Sequence, residues 1–89
     1  MKVSSMKDKI KLNLGCGSDI KKGYINCDKV QIPGVDKIVD LDQKLDFADN
    51  SVDEIILIDV LEHVGDIIKV LEELHRILKK GGALKIRVP

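Results

Sequence analysis

The chain has 89 residues, enough for one small domain that buries only about 60–65% of its unfolded surface. Lys plus Arg is 15 and Asp plus Glu is 15, a formal net charge of zero that argues against a general binder of phosphate backbones. Only Tyr24 and Phe47 are aromatic, so there is no set of rings on which single-stranded bases could stack.

Residues 1–9 are polar and predict a flexible N-terminus. Ile10-Lys11-Leu12-Asn13-Leu14 alternates like a strand and runs into Gly15-Cys16-Gly17. Residues 24–28 read as a second short strand, Ile32-Pro33-Gly34 as a turn, and residues 37–40 as a third strand ending in an acid. Asp49-Asn50-Ser51 is another turn. Ile55-Ile56-Leu57-Ile58 is the apolar run of a central strand buried on both faces. A helix follows, with Val64, Ile67, Ile68, Leu71, Leu74 and Leu78 forming one apolar stripe. Glu72 and Arg76 are spaced for an i,i+4 pair. Lys79 and Lys80 suit the negative end of the helix dipole, and Gly81-Gly82 supplies its stop. Residues 83–88 form a fifth strand.

The unit from the fourth strand through the helix to the fifth strand is expected to be a right-handed parallel crossover. Only eight residues separate Gly15 from Tyr24, too few for a full crossover helix. Fully extended, they reach roughly 26 Å, enough to return along a strand. Parallel pairing of the first two strands is therefore feasible, and antiparallel pairing stays open.

Two cysteines make neither a disulfide framework nor a four-ligand zinc site. No apolar run approaches a membrane span, and residues 1–9 lack a signal-peptide core. The expectation is a cytoplasmic protein with no membrane, metal or nucleic-acid partner.

Three features could carry chemistry. Gly15 and Gly17, directly after a strand, let the backbone turn sharply and let a ligand lie against the main chain, although a simple tight turn has the same pattern. Asp28 closes the second strand, where a carboxylate can accept hydrogen bonds from both hydroxyls of a ribose. Asp40-Leu41-Asp42 closes the third strand and could border an adenine.

In order and spacing, five segments resemble class I (Rossmann-like) methyltransferases of the type 11 group. They are Leu12-Asn13-Leu14-Gly15-Cys16-Gly17, Asp28, Leu45-Asp46-Phe47-Ala48-Asp49-Asn50-Ser51-Val52-Asp53, Val60-Leu61-Glu62-His63 and Leu74-His75-Arg76-Ile77-Leu78-Lys79-Lys80-Gly81-Gly82. The resemblance covers nearly everything after residue 9. It implies an α/β fold, a partial parallel sheet of order 3-2-1-4-5 with one main helix between strands 4 and 5 and shortened crossovers elsewhere. It makes residues 10–89 an S-adenosylmethionine-binding core that stops after the fifth strand.

By that resemblance Asn13, Gly15, Cys16 and Gly17 would cradle the methionine part of S-adenosyl-L-methionine. Asp28 would hold the ribose, Asp40 and Leu41 would border the adenine, and Asp59 would lie near the sulfonium. Family members often carry an acid where Asn13 stands and a third glycine where Asp19 stands. No catalytic residue stands out; His63 and Asp59 are the candidates, and Glu62 and His63 equally suit the start of a helix.

The implied activity is methyl transfer to a small-molecule or glycan-type acceptor, by a chain short for turnover alone. A homo-oligomer or a missing C-terminal segment would then cover the fifth strand. Two other readings stand beside it, a non-catalytic nucleotide-binding domain and a fragment of an NAD-dependent oxidoreductase. Against the latter, Ile20 stands where the dinucleotide fingerprint needs its third glycine.

Overall fold

A computed structural model describes residues 9–89, so most of the N-terminal segment predicted to be flexible lies outside the described residues. The strands are β1 (Lys11–Leu14), β2 (Ile25–Asp28), β3 (Lys37–Ile38), β4 (Val52–Ile58) and β5 (Leu78–Arg87). A short 3-10 turn, Leu61–His63, and the helix α1, Ile67–Ile77, lie between β4 and β5. All pairings are parallel and the sheet order is β3-β2-β1-β4-β5. The expected α/β sheet is thus present, and the antiparallel alternative for β1 and β2 is excluded.

Strand alternation separates two faces. Leu12 pairs with Ile25 and Ile55, and Leu14 pairs with Cys27 and Leu57. Leu12, Leu14, Cys27, Ile55 and Leu57 are at most 1% exposed and cluster with Val70, Leu74 and Ile77 of α1. The other face of β1 and β2 carries Asn13 and Asn26, also buried. Asn13 donates to Asn26 Oδ1 at 2.9 Å and to the Asp19 carbonyl at 2.8 Å. The Lys21 N–H donates to Asn26 Oδ1, and Asn26 Nδ2 donates to the Lys21 carbonyl. Two buried amides therefore hold the β1–β2 connection against the sheet where eight residues cannot build a helix. This polar layer and the loop it holds lie on the sheet face opposite α1, where Ile56 is only 8% exposed.

Helix α1 differs from its predicted form in three respects. Its buried face is Val70, Leu74 and Ile77, whereas Ile67 and Ile68 are 46% and 67% exposed. Apolar residues span about half of the helix circumference here, and the sheet contact selects the side containing Ile77. The helix starts where Asp66 accepts the Lys69 N–H, and it ends at Ile77 because Leu78 is already extended and paired with Val52. Gly81-Gly82 is therefore not the helix stop. It belongs to the irregular start of β5, where the register jumps from Val52↔Leu78 to Glu54↔Ala83 and Gly81 adopts a φ of +83°. Lys79 correspondingly pairs with Asp53 at 3.1 Å instead of capping the helix.

Arg76 makes no pair with Glu72. Its guanidinium bonds Glu73, Asp49 and the carbonyls of Leu45 and Phe47. Glu73 in turn accepts the Leu45 N–H at 2.6 Å. The Glu73–Arg76 pair thus ties the long β3–β4 connection to the helix.

Candidate functional site

A cleft of about 300 Å³ opens at the carboxyl ends of β1 to β4. Open parallel sheets bind ligands there, where the strand order reverses, because helices cover the faces but the strand ends stay accessible. Its lining comes from four chain segments: Gly15 after β1, Asp28 and Lys29 at the end of β2, residues 39–42 after β3, and Asp59, Val60, His63 and Val64 after β4. Of the residues singled out from sequence, the cleft gathers Gly15, Asp28, Asp40, Leu41, Asp42, Asp59 and His63. Asn13, Cys16 and Gly17 are not among its lining residues. Asn13 spends its amide on the inter-strand network described above, and Cys16 is buried.

The glycine loop is tightly specified. Gly15 has a φ of +68°, and a Cβ there would lie 2.6 Å from Val60 Cγ2. The start of the β4 loop therefore packs directly on the β1 loop, which only a glycine permits. Gly17 has a φ of +53° and open space where its Cβ would be. Its N–H donates to Asp28 Oδ2 at 2.7 Å, and the Val30 N–H donates to Asp28 Oδ1 at 3.1 Å. Each carboxylate oxygen is thus oriented by one backbone donor and keeps a second acceptor site.

Asp40 Oδ1 accepts the Asp42 N–H at 2.9 Å, so this side chain folds over its own turn. Asp59 has a φ of +57°, and Arg87 at the tip of β5 pairs with it at 3.0 Å. His63 lies in the 3-10 turn, before α1 and not in it, with a largely exposed side chain and Glu62 Oε2 3.7 Å away. Neither thiol is poised as a nucleophile. Burial, reinforced by Asp28, raises the Cys16 pKa, and burial pushes Cys27 up to about 11. Among the described residues no group of three or more His, Cys, Asp or Glu is arranged to hold a metal ion.

Sequence reasoning missed Lys29, Val39, Val60 and Val64 as cleft residues. Asp42 was legible only as part of the acidic Asp40-Leu41-Asp42 turn. The valines carry no signal, because an apolar residue near a strand end looks like core.

Residues 15–86 match the model of a family described as a methyltransferase domain. The chain belongs to that family. The methyltransferase domain is also similar to one chain of the solved complex between the Haloferax volcanii Trm112 methyltransferase activator and a protein proposed to be a methyltransferase. Identity is 26% and the TM-score 0.71, over 91% of this chain and 45% of that one. The domain thus spans less than half the length of that relative. No curated protein gives a significant match.

Proposed function

We propose that the cleft binds S-adenosyl-L-methionine and that residues 10–89 are the donor-binding core of a methyltransferase. The observation that carries this reading is Asp28. Its carboxylate stands at the end of β2 beside the glycine loop, fixed by two N–H donors yet with acceptor capacity to spare for two ribose hydroxyls. The open space over Gly17 suits a ligand lying along the main chain. Leu41 and Val39 offer an apolar wall for a flat base.

The residues fit the cofactor, with the glycine loop reassigned. Gly15 supplies the contact surface in the cleft, and Asn13, Cys16 and Gly17 act around it, Asn13 bracing the loop from beneath and the Gly17 N–H orienting Asp28. Asp59 and Val60 border the region nearest the end of β4, where the sulfonium would lie beside the Asp59–Arg87 ion pair. When bound, S-adenosylmethionine supplies a methyl group on a positively charged sulfur. The chain then needs only to orient that group and shield it, since alignment of donor and acceptor supplies much of the rate. His63, exposed at the rim, is the nearest candidate to accept an acceptor's proton. The acceptor, of small-molecule or glycan type, the site of action in the cytoplasm, and an activator like that of the Haloferax volcanii complex belong to the same proposal. No described helix is long and apolar enough to cross a membrane.

Calorimetric titration of the chain with S-adenosylmethionine, S-adenosylhomocysteine and NAD tests the reading. Saturable binding of the first two and none of the third is expected; binding of NAD alone, or of nothing, overturns it.

A further inference from the structure

The two walls of the cleft come from segments that are not neighbours in the sheet. Residues 39–42 follow β3 and residues 59–65 follow β4, and β2 and β1 lie between these strands. At about 4.8 Å per strand step, the ends of β3 and β4 start roughly 14 Å apart. Asp42 closes that gap: its Oδ1 accepts the Gly65 N–H at 2.9 Å. Among the described residues this is the one hydrogen bond joining the two walls. The approach is close enough that a Cβ on Gly65 would lie 3.3 Å from Asp42 Oδ1. The Asp42 N–H is itself held by Asp40 Oδ1, so the acceptor is presented from a braced turn. Gly65 precedes Asp66, the N-cap of α1, so the bond also reaches the start of the helix.

We infer that Asp42 is a positioning residue for the cofactor cleft, latching the β3 wall to the β4 wall through the Gly65 amide. The latch sets the cleft width independently of any charge that Asp42 offers a ligand. Leu41, Val60 and Val64 pack against the core beneath it and define the floor, whereas the latch fixes the rim. Its effect on affinity rests on the reading that S-adenosylmethionine binds here; its effect on the Gly65 amide does not.

Asn keeps the side-chain oxygen acceptor and removes the charge, whereas Ala removes both. The test compares Asp42→Ala and Asp42→Asn with the wild-type chain by calorimetry with S-adenosylmethionine and with uncharged-sulfur S-adenosylhomocysteine. Amide hydrogen exchange at Gly65 is followed in parallel. Asp42→Ala should weaken both ligands by a similar factor, roughly 3- to 10-fold for one lost hydrogen bond, and should deprotect Gly65. Asp42→Asn should restore both affinity and protection. Equal weakening in both variants, greater for S-adenosylmethionine, would mean that charge and not the latch acts here, and would overturn the inference. Unchanged affinity in Asp42→Ala, or a Gly65 amide that exchanges freely in the wild-type chain, overturns it as well. A wild-type chain that binds neither ligand but loses Gly65 protection only in Asp42→Ala sinks the cofactor reading and leaves the latch standing.

Discussion

Two cleft residues carry unequal burdens. Asp28 joins the glycine loop to β2 through the Gly17 N–H and, in the proposed complex, faces the ribose. Asp28→Ala is expected to weaken S-adenosylmethionine binding by about 1.5–3 kcal/mol, the scale of a charged hydrogen-bond partner; unchanged affinity by calorimetry would remove the ribose assignment. Gly15 is limited by sterics and backbone alike. Gly15→Ala places a methyl against Val60 at a φ of +68° and should cost roughly 1–3 kcal/mol in urea denaturation. A second change, Val60→Ala, should recover the steric part and not the conformational part. Full recovery, or no loss in the single variant, would show that the loop does not need its glycine.

Among the elements, α1 does two jobs: it covers the sheet with Val70, Leu74 and Ile77, and it anchors the β3–β4 connection through Glu73 and Arg76. The Arg76 guanidinium, with the Leu45 N–H helping, holds the Glu73 carboxyl down at about 2, against an ordinary value of 4.5. A carboxylate whose folded pKa is depressed stabilises the fold above its unfolded pKa, and that contribution disappears as the pH falls through the folded value. Glu73→Gln should therefore be less stable than wild type by about 1–2 kcal/mol near neutrality, at the lower end because the pair is partly solvated. The gap should close between about pH 4.5 and pH 2. Denaturation midpoints across that range give the result, and a gap independent of pH would rule out the ionic anchor. Leu74, fully buried at the centre of the helix face, is the residue whose truncation to Ala should cost most, about 2–5 kcal/mol.

At the scale of the whole molecule, β5 is the longer of the two edge strands of the described sheet. Leu84 and Ile86 lie in register with the buried Ile55 and Leu57 but are 39% and 41% exposed and stand outside the core cluster. Lys85 and Arg87, on the other face, are held by Glu54 and Asp59. An edge with open backbone groups and apolar side chains is a template for pairing with another strand. The chain is therefore expected to self-associate at micromolar concentration, and Ile86→Lys to shift it toward monomer. Sedimentation showing a strictly monomeric wild-type chain with a cooperative melt would contradict this.

Much of this was determined by local sequence. Glycines after an alternating strand, an acid closing the next strand, and the run Ile55-Ile56-Leu57-Ile58 are short-range patterns, and strand ends in a parallel sheet converge wherever the topology is right. The family resemblance supplied the strand order, which periodicity alone does not encode. Tertiary structure decided the rest. Ile67 and Ile68 widen the apolar surface of α1 beyond Val70, Leu74 and Ile77, and contact with the sheet chose which part is buried. Arg76 could reach Glu72 or Glu73 by spacing, and the carbonyls of Leu45 and Phe47 selected its orientation. Asn13 read as a ligand contact through the family resemblance. Its pairing with Asn26, 13 residues away, turns it into a brace beneath the loop, and Asp42 meets Gly65 across 23 residues. Hydrogen bonds between distant segments leave no periodic trace in a sequence, because their geometry exists only once the strands between them have paired.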